Sequence, residues 1–208
     1  MKDIIVGRQA IVNKASEIVA YELLYRRNLL ENCCCNDITS DYKDSQSLIN
    51  SVHEIGTEKV LNGQIGFFNI TEEILLDIEN YNLPQNSILE IVEFDLISKE
   101  MLKGILHVKK LGYKLALDDF LFRHIDNQLI DLVDLIKVDY IDCTKKEIEQ
   151  IMMTFRGKNK IMLAEKIETL ETFNHATELG FDLFQGYYFS RPAIISKEIA
   201  GEKIFHQF

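Results

Sequence analysis

Short β-rich runs alternate with longer stretches of helical period along all 208 residues, and this alternation limits the folds open to the chain. Strand candidates fall at 4–6, 18–24, 65–69, 88–92, 114–117, 135–138, 160–164 and 181–184. Helical stretches fall at 44–61, 71–79, 98–111, 126–132, 145–155 and 168–179. In the third of these, Met101, Leu102, Ile105, Leu106 and Val108 form one stripe. Gly112 is expected to stop that helix, and Gly180 the last one, as C′ glycines do. The class is therefore α/β, with repeated βα units around a parallel sheet. Six or seven units plus an N-terminal strand fit a closed (β/α) barrel near the lower size limit for that fold. An open doubly wound sheet is less well supported, since no Gly-rich phosphate loop follows the first strands. A single domain over 1–208 is expected. Residues 28–43 form a polar excursion without period, and 194–208 is read as an amphipathic helical end.

Composition narrows the partners. Lys and Arg number 23 against 33 Asp and Glu, a net charge of −10, which argues against a nucleic acid polymer as ligand. A small anionic ligand stays open provided that metal ions neutralise the acidic groups. Met1 to Val6 is cut short by Gly7, Arg8 and Gln9 before a signal peptide's apolar region can form, and no run is long enough to cross a membrane. A cytoplasmic location is the expectation. Cys33, Cys34, Cys35 and distant Cys143 lack zinc-ligand spacing and read as free thiols.

Seven apolar runs each lead into a polar residue: Glu22, Asn69, Glu90, the pair Asp118 and Asp119, Lys137, Glu165 and Gln185. In a barrel the C-terminal strand ends share one mouth, so these residues would meet there. Several carboxylates at such close quarters repel one another unless cations intervene. Oxygen ligands from Asp, Glu and Asn suit magnesium or manganese better than zinc. Taken singly, an Asp, Asn or Glu after a strand is more often a helix cap, Lys137 an ion-pair partner and Gln185 a satisfied amide. The adjacent pair Asp118 and Asp119 is poor capping and good two-metal geometry. The five histidines show no ligand spacing, and Arg26, four residues after Glu22, falls near the same mouth.

Ala20-Tyr21-Glu22-Leu23-Leu24-Tyr25-Arg26, Phe67-Phe68-Asn69-Ile70, Leu89-Glu90-Ile91-Val92-Glu93 and Leu115-Ala116-Leu117-Asp118-Asp119-Phe120 resemble the ordered motifs of EAL domains. So do Ile136-Lys137-Val138-Asp139, Ala164-Glu165-Lys166-Ile167-Glu168 and Gln185-Gly186-Tyr187-Tyr188-Phe189-Ser190-Arg191-Pro192. The forms of the first and sixth motifs look most like the EAL half of EAL–HDOD proteins. The resemblance implies a modified TIM barrel of EAL type with an N-terminal antiparallel strand. It implies hydrolysis of cyclic di-GMP to linear pGpG with two Mg²⁺ or Mn²⁺ ions. Carried over, Glu22, Asn69, Glu90, Asp118 and Asp119 would ligate metal, and Lys137 and Glu165 would position or activate the attacking water. Arg26, Leu24 and Gln185 would serve the substrate, and Glu93 would steady the loop after the Asp-Asp pair. A homodimer or a protein partner is left open.

Two departures from the family pattern stand out. Leu23 occupies the alanine place of the leading motif, and Leu121-Phe122-Arg123-His124-Ile125 replaces a Gly-Thr-Gly loop. Glycines there would give the backbone angles that bulky residues resist. The ligand set favours a phosphodiesterase. The rebuilt loop favours a non-catalytic cyclic di-GMP receptor or interaction module.

Overall fold

The computed structural model describes residues 4–26, 42–92, 98–118, 120 and 127–197. Strands β1 (Ile5–Asn13), β2 (Ile18–Tyr25), β3 (Ile65–Asn69), β4 (Ile88–Val92), β5 (Lys114–Asp118), β6 (Leu135–Asp139), β7 (Ile161–Glu165), β8 (Leu183–Phe184) and β9 (Ala193–Ser196) form one sheet. Helices α1 (Tyr42–Ile55), α2 (Thr57–Leu61), α3 (Glu72–Leu76), α4 (Lys99–Lys110), α5 (Asn127–Leu132), α6 (Lys145–Phe155) and α7 (Leu170–Leu179) lie between the strands in sequence. From β2 to β8 each strand pairs with the next in parallel. β1 runs antiparallel between β8 and β2 and closes the barrel.

Local chemistry explains the helix ends. The Ser98 hydroxyl accepts the Met101 N–H at the start of α4, and Thr144 and Glu147 form a reciprocal cap on α6. Gly112 and Gly180 follow α4 and α7 in the left-handed conformation, as the sequence predicts. The helix expected over 44–61 begins two residues earlier, at Tyr42, and Gly56 (φ 102°) breaks it into α1 and α2. The predicted excursion therefore loses Tyr42 and Lys43 to α1, and its other residues lie outside the described ones, with Cys33, Cys34 and Cys35.

Two further expectations are corrected. The first strand is nine residues long rather than three, because the polar Gly7, Arg8 and Gln9 continue the ladder with β2. The predicted helical end begins instead as β9, which pairs antiparallel with Ile5 to Arg8 of β1. A free row of N–H and C=O groups on that half of β1 is better satisfied by a strand than by a helix face. Residues 198–208 lie outside the described ones.

The core has two compartments. Leu23, Phe68, Leu89, Leu115, Leu117, Ile136 and Val138 face outward against the helices. Ile11, Ala20, Phe67, Ile88, Ala116, Leu135 and Leu163 fill the barrel axis. Since strand side chains alternate, the residue two places on points into the same interior. From Ala20, Phe67, Ile88, Ala116, Leu135, Leu163 and Leu183 that step reaches Glu22, Asn69, Glu90, Asp118, Lys137, Glu165 and Gln185. The polar ring is thus stacked one pleat repeat above an apolar plug.

Candidate active site

Lys137 is the hub of the ring. Its side chain is wholly buried, and its ammonium lies 2.5 Å from Glu90 Oε1, 2.8 Å from Asp118 Oδ1, 3.0 Å from Glu165 Oε1 and 3.4 Å from Glu22 Oε1. Four strands other than β6, namely β2, β4, β5 and β7, therefore deliver carboxylates to one cation. The second oxygen of Glu22 accepts the Gln185 amide N–H at 2.5 Å, and the same amide also donates to Gln9 Oε1 at 3.2 Å. Asn69 ends β3 half-buried, in register with Glu90.

Gln9 is the residue that strand-end reasoning missed. It is buried, and its own amide donates to the Ser190 carbonyl at 3.2 Å. Because β1 runs against the other barrel strands, its polar member precedes the apolar one (Gln9, then Ile11). A search for polar residues after apolar runs passes over it. Alternation within an antiparallel reading of β1 would have found it.

Leu24 and Arg26 continue the inward face of β2 toward the mouth, both half-buried. Gly7 lies opposite Leu24, and a Cβ there would come within 3.1 Å of Arg26 Nε and 3.2 Å of Leu24 Cβ. A bare backbone at Gly7 makes room for both. Arg26 Nε is buried with no hydrogen-bond partner. Leu23, the departure in the leading motif, is fully buried on the outward face against the helices. It alters packing behind the ring and leaves the inward face of β2 unchanged. Asp119, Glu93 and 121–125 lie outside the described residues.

Electrostatics at the ring follow from burial. Loss of water pushes the Glu90 carboxyl well above the usual carboxylate range, against the pull of Lys137 and with the charges of Glu22 and Asp118 adding. Burial likewise raises Glu165 well above it, against Lys137. Burial alone would lower Lys137, but Asp118, Glu165, Glu22 and Glu90 together hold its ammonium well above the ordinary lysine value. Lys137 thus stays charged, and two of its partners gain protons easily.

Both raised carboxyls bind protons more tightly in the folded than in the unfolded chain. Their contribution to stability is complete below the ordinary glutamate value of 4.5 and is lost as pH climbs through the raised folded values. In chelator, the melting temperature is expected to fall over the interval in which pH rises above that ordinary value. Manganese should flatten that fall, because a bound cation takes the place of the protons. Differential scanning calorimetry checks both; a melting temperature that rises over this interval in chelator contradicts the assignment.

The ring's donor set fits a divalent cation. Glu22, Glu90 and Asp118 each offer an oxygen within 4.8 Å of the others. Glu90 Oε2 is buried without a hydrogen-bond partner, an acceptor with nothing to accept from. Hard oxygen donors of this kind suit Mg²⁺, Mn²⁺ or Ca²⁺.

Comparisons with known proteins agree with this layout. The EAL domain family model matches residues 6–192. The uncharacterized protein YuxH of Bacillus subtilis (strain 168) is 36% identical over 199 residues, covering 93% of this chain and 48% of that protein. The cyclic di-GMP phosphodiesterase CdgJ of Vibrio cholerae is 28% identical over 195 residues, covering 92% and 45%. The chain therefore spans about half the length of these relatives. The solved manganese and cyclic di-GMP complex of Klebsiella pneumoniae BlrP1 superposes with a TM-score of 0.71 at 22% identity, over 93% of this chain and 57% of that one, a likeness that speaks for the fold. A closed barrel with one antiparallel strand, matched from its first strand to Pro192, places the chain in the EAL domain family.

Proposed function

We propose that this EAL domain is a metal-dependent phosphodiesterase that opens cyclic di-GMP to linear pGpG. The observation that carries the reading is the convergence of Glu22, Glu90, Asp118 and Glu165 on the buried Lys137 ammonium. A structural core gains little from such a cluster, because burying charges costs more than packing apolar side chains there. The relative CdgJ carries this activity in its name, and BlrP1 is solved with the dinucleotide and manganese.

Glu22, Asn69, Glu90 and Asp118, with Asp119, would hold Mg²⁺ or Mn²⁺. Such ions supply Lewis-acid stabilisation of the oxygens at phosphorus. The chain's own groups have separate tasks. Lys137 holds the carboxylates in register and offers positive charge to the developing phosphorane oxygens. Glu165, its carboxyl raised by burial, is suited to take the proton of the attacking water. Gln185 fixes the rotamer of Glu22 by its 2.5 Å hydrogen bond. Arg26, with an unsatisfied buried donor at the mouth, suits a substrate phosphate.

The test is incubation with cyclic di-GMP and Mn²⁺ or Mg²⁺, with pGpG followed by chromatography. Glu22→Ala is expected to abolish product. Asp119→Asn is expected to lower turnover more than binding, and equal rates in variant and wild type would end that assignment. The segment Leu121-Phe122-Arg123-His124-Ile125 favours a second reading, a receptor without turnover. Calorimetric affinity for cyclic di-GMP with no pGpG from the wild type would select it. No helix among the described residues is long and apolar enough to cross a membrane.

A further inference from the structure

Lys166 follows Glu165 directly, in the turn between β7 and α7, at φ 52°. A side-chain-bearing residue is strained in that left-handed conformation, and glycine is the usual occupant. The other described non-glycine residues at positive φ are Ser16, Asn62, Asn82 and Asn159. Their short polar side chains can bond the nearby backbone, which a lysine cannot do.

The lysine's ammonium is instead ion-paired with Asp139 Oδ2 and lies 3.6 Å from Asp142 Oδ2. Asp139 stands two residues beyond Lys137 on β6, so it faces the same interior one pleat higher, and its side chain is 2% exposed. Its other oxygen accepts the N–H groups of Ile141 (2.6 Å) and Asp142 (3.0 Å), closing the β6–α6 turn. Asp139 and Glu165 are partners in the β6–β7 ladder, and the Tyr140 N–H donates to the Glu165 carbonyl at 3.2 Å. Beyond the lysine, the Tyr188 N–H donates to the Ile167 carbonyl at 3.0 Å. One charge pair therefore ties the turn that leaves Lys137 to the turn that leaves Glu165, above the contact between those two side chains.

We propose that Lys166 is a positioning residue: clamped on Asp139, it holds the β7–α7 turn so that the Glu165 carboxylate stays seated on Lys137. A glycine would suit the backbone better, so the ammonium is what the position uses. The effect on turnover rests on the phosphodiesterase reading; the clamp itself does not.

Two measurements separate these. Amide hydrogen exchange at Tyr140 and Tyr188 is expected to speed up about tenfold in Lys166→Ala and Lys166→Gly, and to stay within about threefold of wild type in Lys166→Arg. Unchanged exchange in both the alanine and glycine variants overturns the clamp. With cyclic di-GMP and Mn²⁺, kcat of both is expected to fall about tenfold with KM within about twofold, and arginine to restore it. A glycine variant with wild-type kcat would make the position a backbone slot, and a raised KM at unchanged kcat would make Lys166 a substrate contact; either overturns the proposal. A wild type without turnover removes the phosphodiesterase reading, and hydrogen exchange then decides the clamp by itself.

Discussion

Gly186→Ala is expected to destabilise the protein by more than about 3 kcal/mol, because the added methyl group has nowhere to go. Its Cβ would lie 2.1 Å from Ile167 O, 2.3 Å from Ile167 N and 2.6 Å from Ile167 C. All three atoms are backbone, so no side chain can swing aside. The same backbone is pinned on both sides: the Ile167 N–H donates to the Gln185 carbonyl at 2.9 Å, and Ile167 O accepts from Tyr188. Relief therefore means parting the turns after β7 and β8, which carry Glu165 and Gln185 into the ring. Gly180→Ala is the control. That position has φ 98° but nothing within 4 Å of its would-be Cβ, so only the backbone cost of about 1 kcal/mol is expected. Urea denaturation of the two variants reads the difference; equal midpoints would show that the two turns separate freely.

Lys137→Met keeps the length and the apolar stem of the side chain and removes its charge. Glu22, Glu90, Asp118 and Glu165 then face one another without the ammonium they share. In chelator at high pH, where the carboxyls are ionised, the loss is expected to reach about 3–5 kcal/mol, the range for breaking a buried ion pair by removing one partner. It should shrink at lower pH, where the raised carboxyls of Glu90 and Glu165 take up protons and the repulsion falls. Mn²⁺ should recover part of it. On the proposed function, turnover falls by about 10²-fold or more even where the metal restores the fold, since the charge offered to the transition state is gone. Denaturation curves with and without metal separate these effects. A variant as stable as wild type in chelator would mean that the carboxylates are held apart by strand geometry alone.

How far the sequence could be read depended on the range of the interactions involved. The β3, β4 and α6 limits match the pattern residue for residue, because helix stripes and strand alternation are properties of neighbouring side chains. The position of the polar ring was legible for the same reason: it lies two residues beyond an apolar one in every parallel barrel strand. The failures arose where a segment's strand partner lies outside the stretch being read. Gly7, Arg8 and Gln9 look like an interruption until β2 is there to pair with them. Ile194 and its neighbours look helical until β1 presents an open edge.

The amino-acid pattern by itself thus determined the α/β class, the order of elements and the acidic character of the strand ends, all of which are written in local periodicity. Only the tertiary structure decided that β1 seals the barrel and brings Gln9 to Gln185, that Leu23 faces the helices while Glu22 faces the axis, and that a single buried ammonium holds four carboxylates. Those outcomes depend on register and burial between separate strands, some of them joining residues more than a hundred positions apart, as for Lys137 and Glu22. No local pattern encodes the loss of water that gives such contacts their strength.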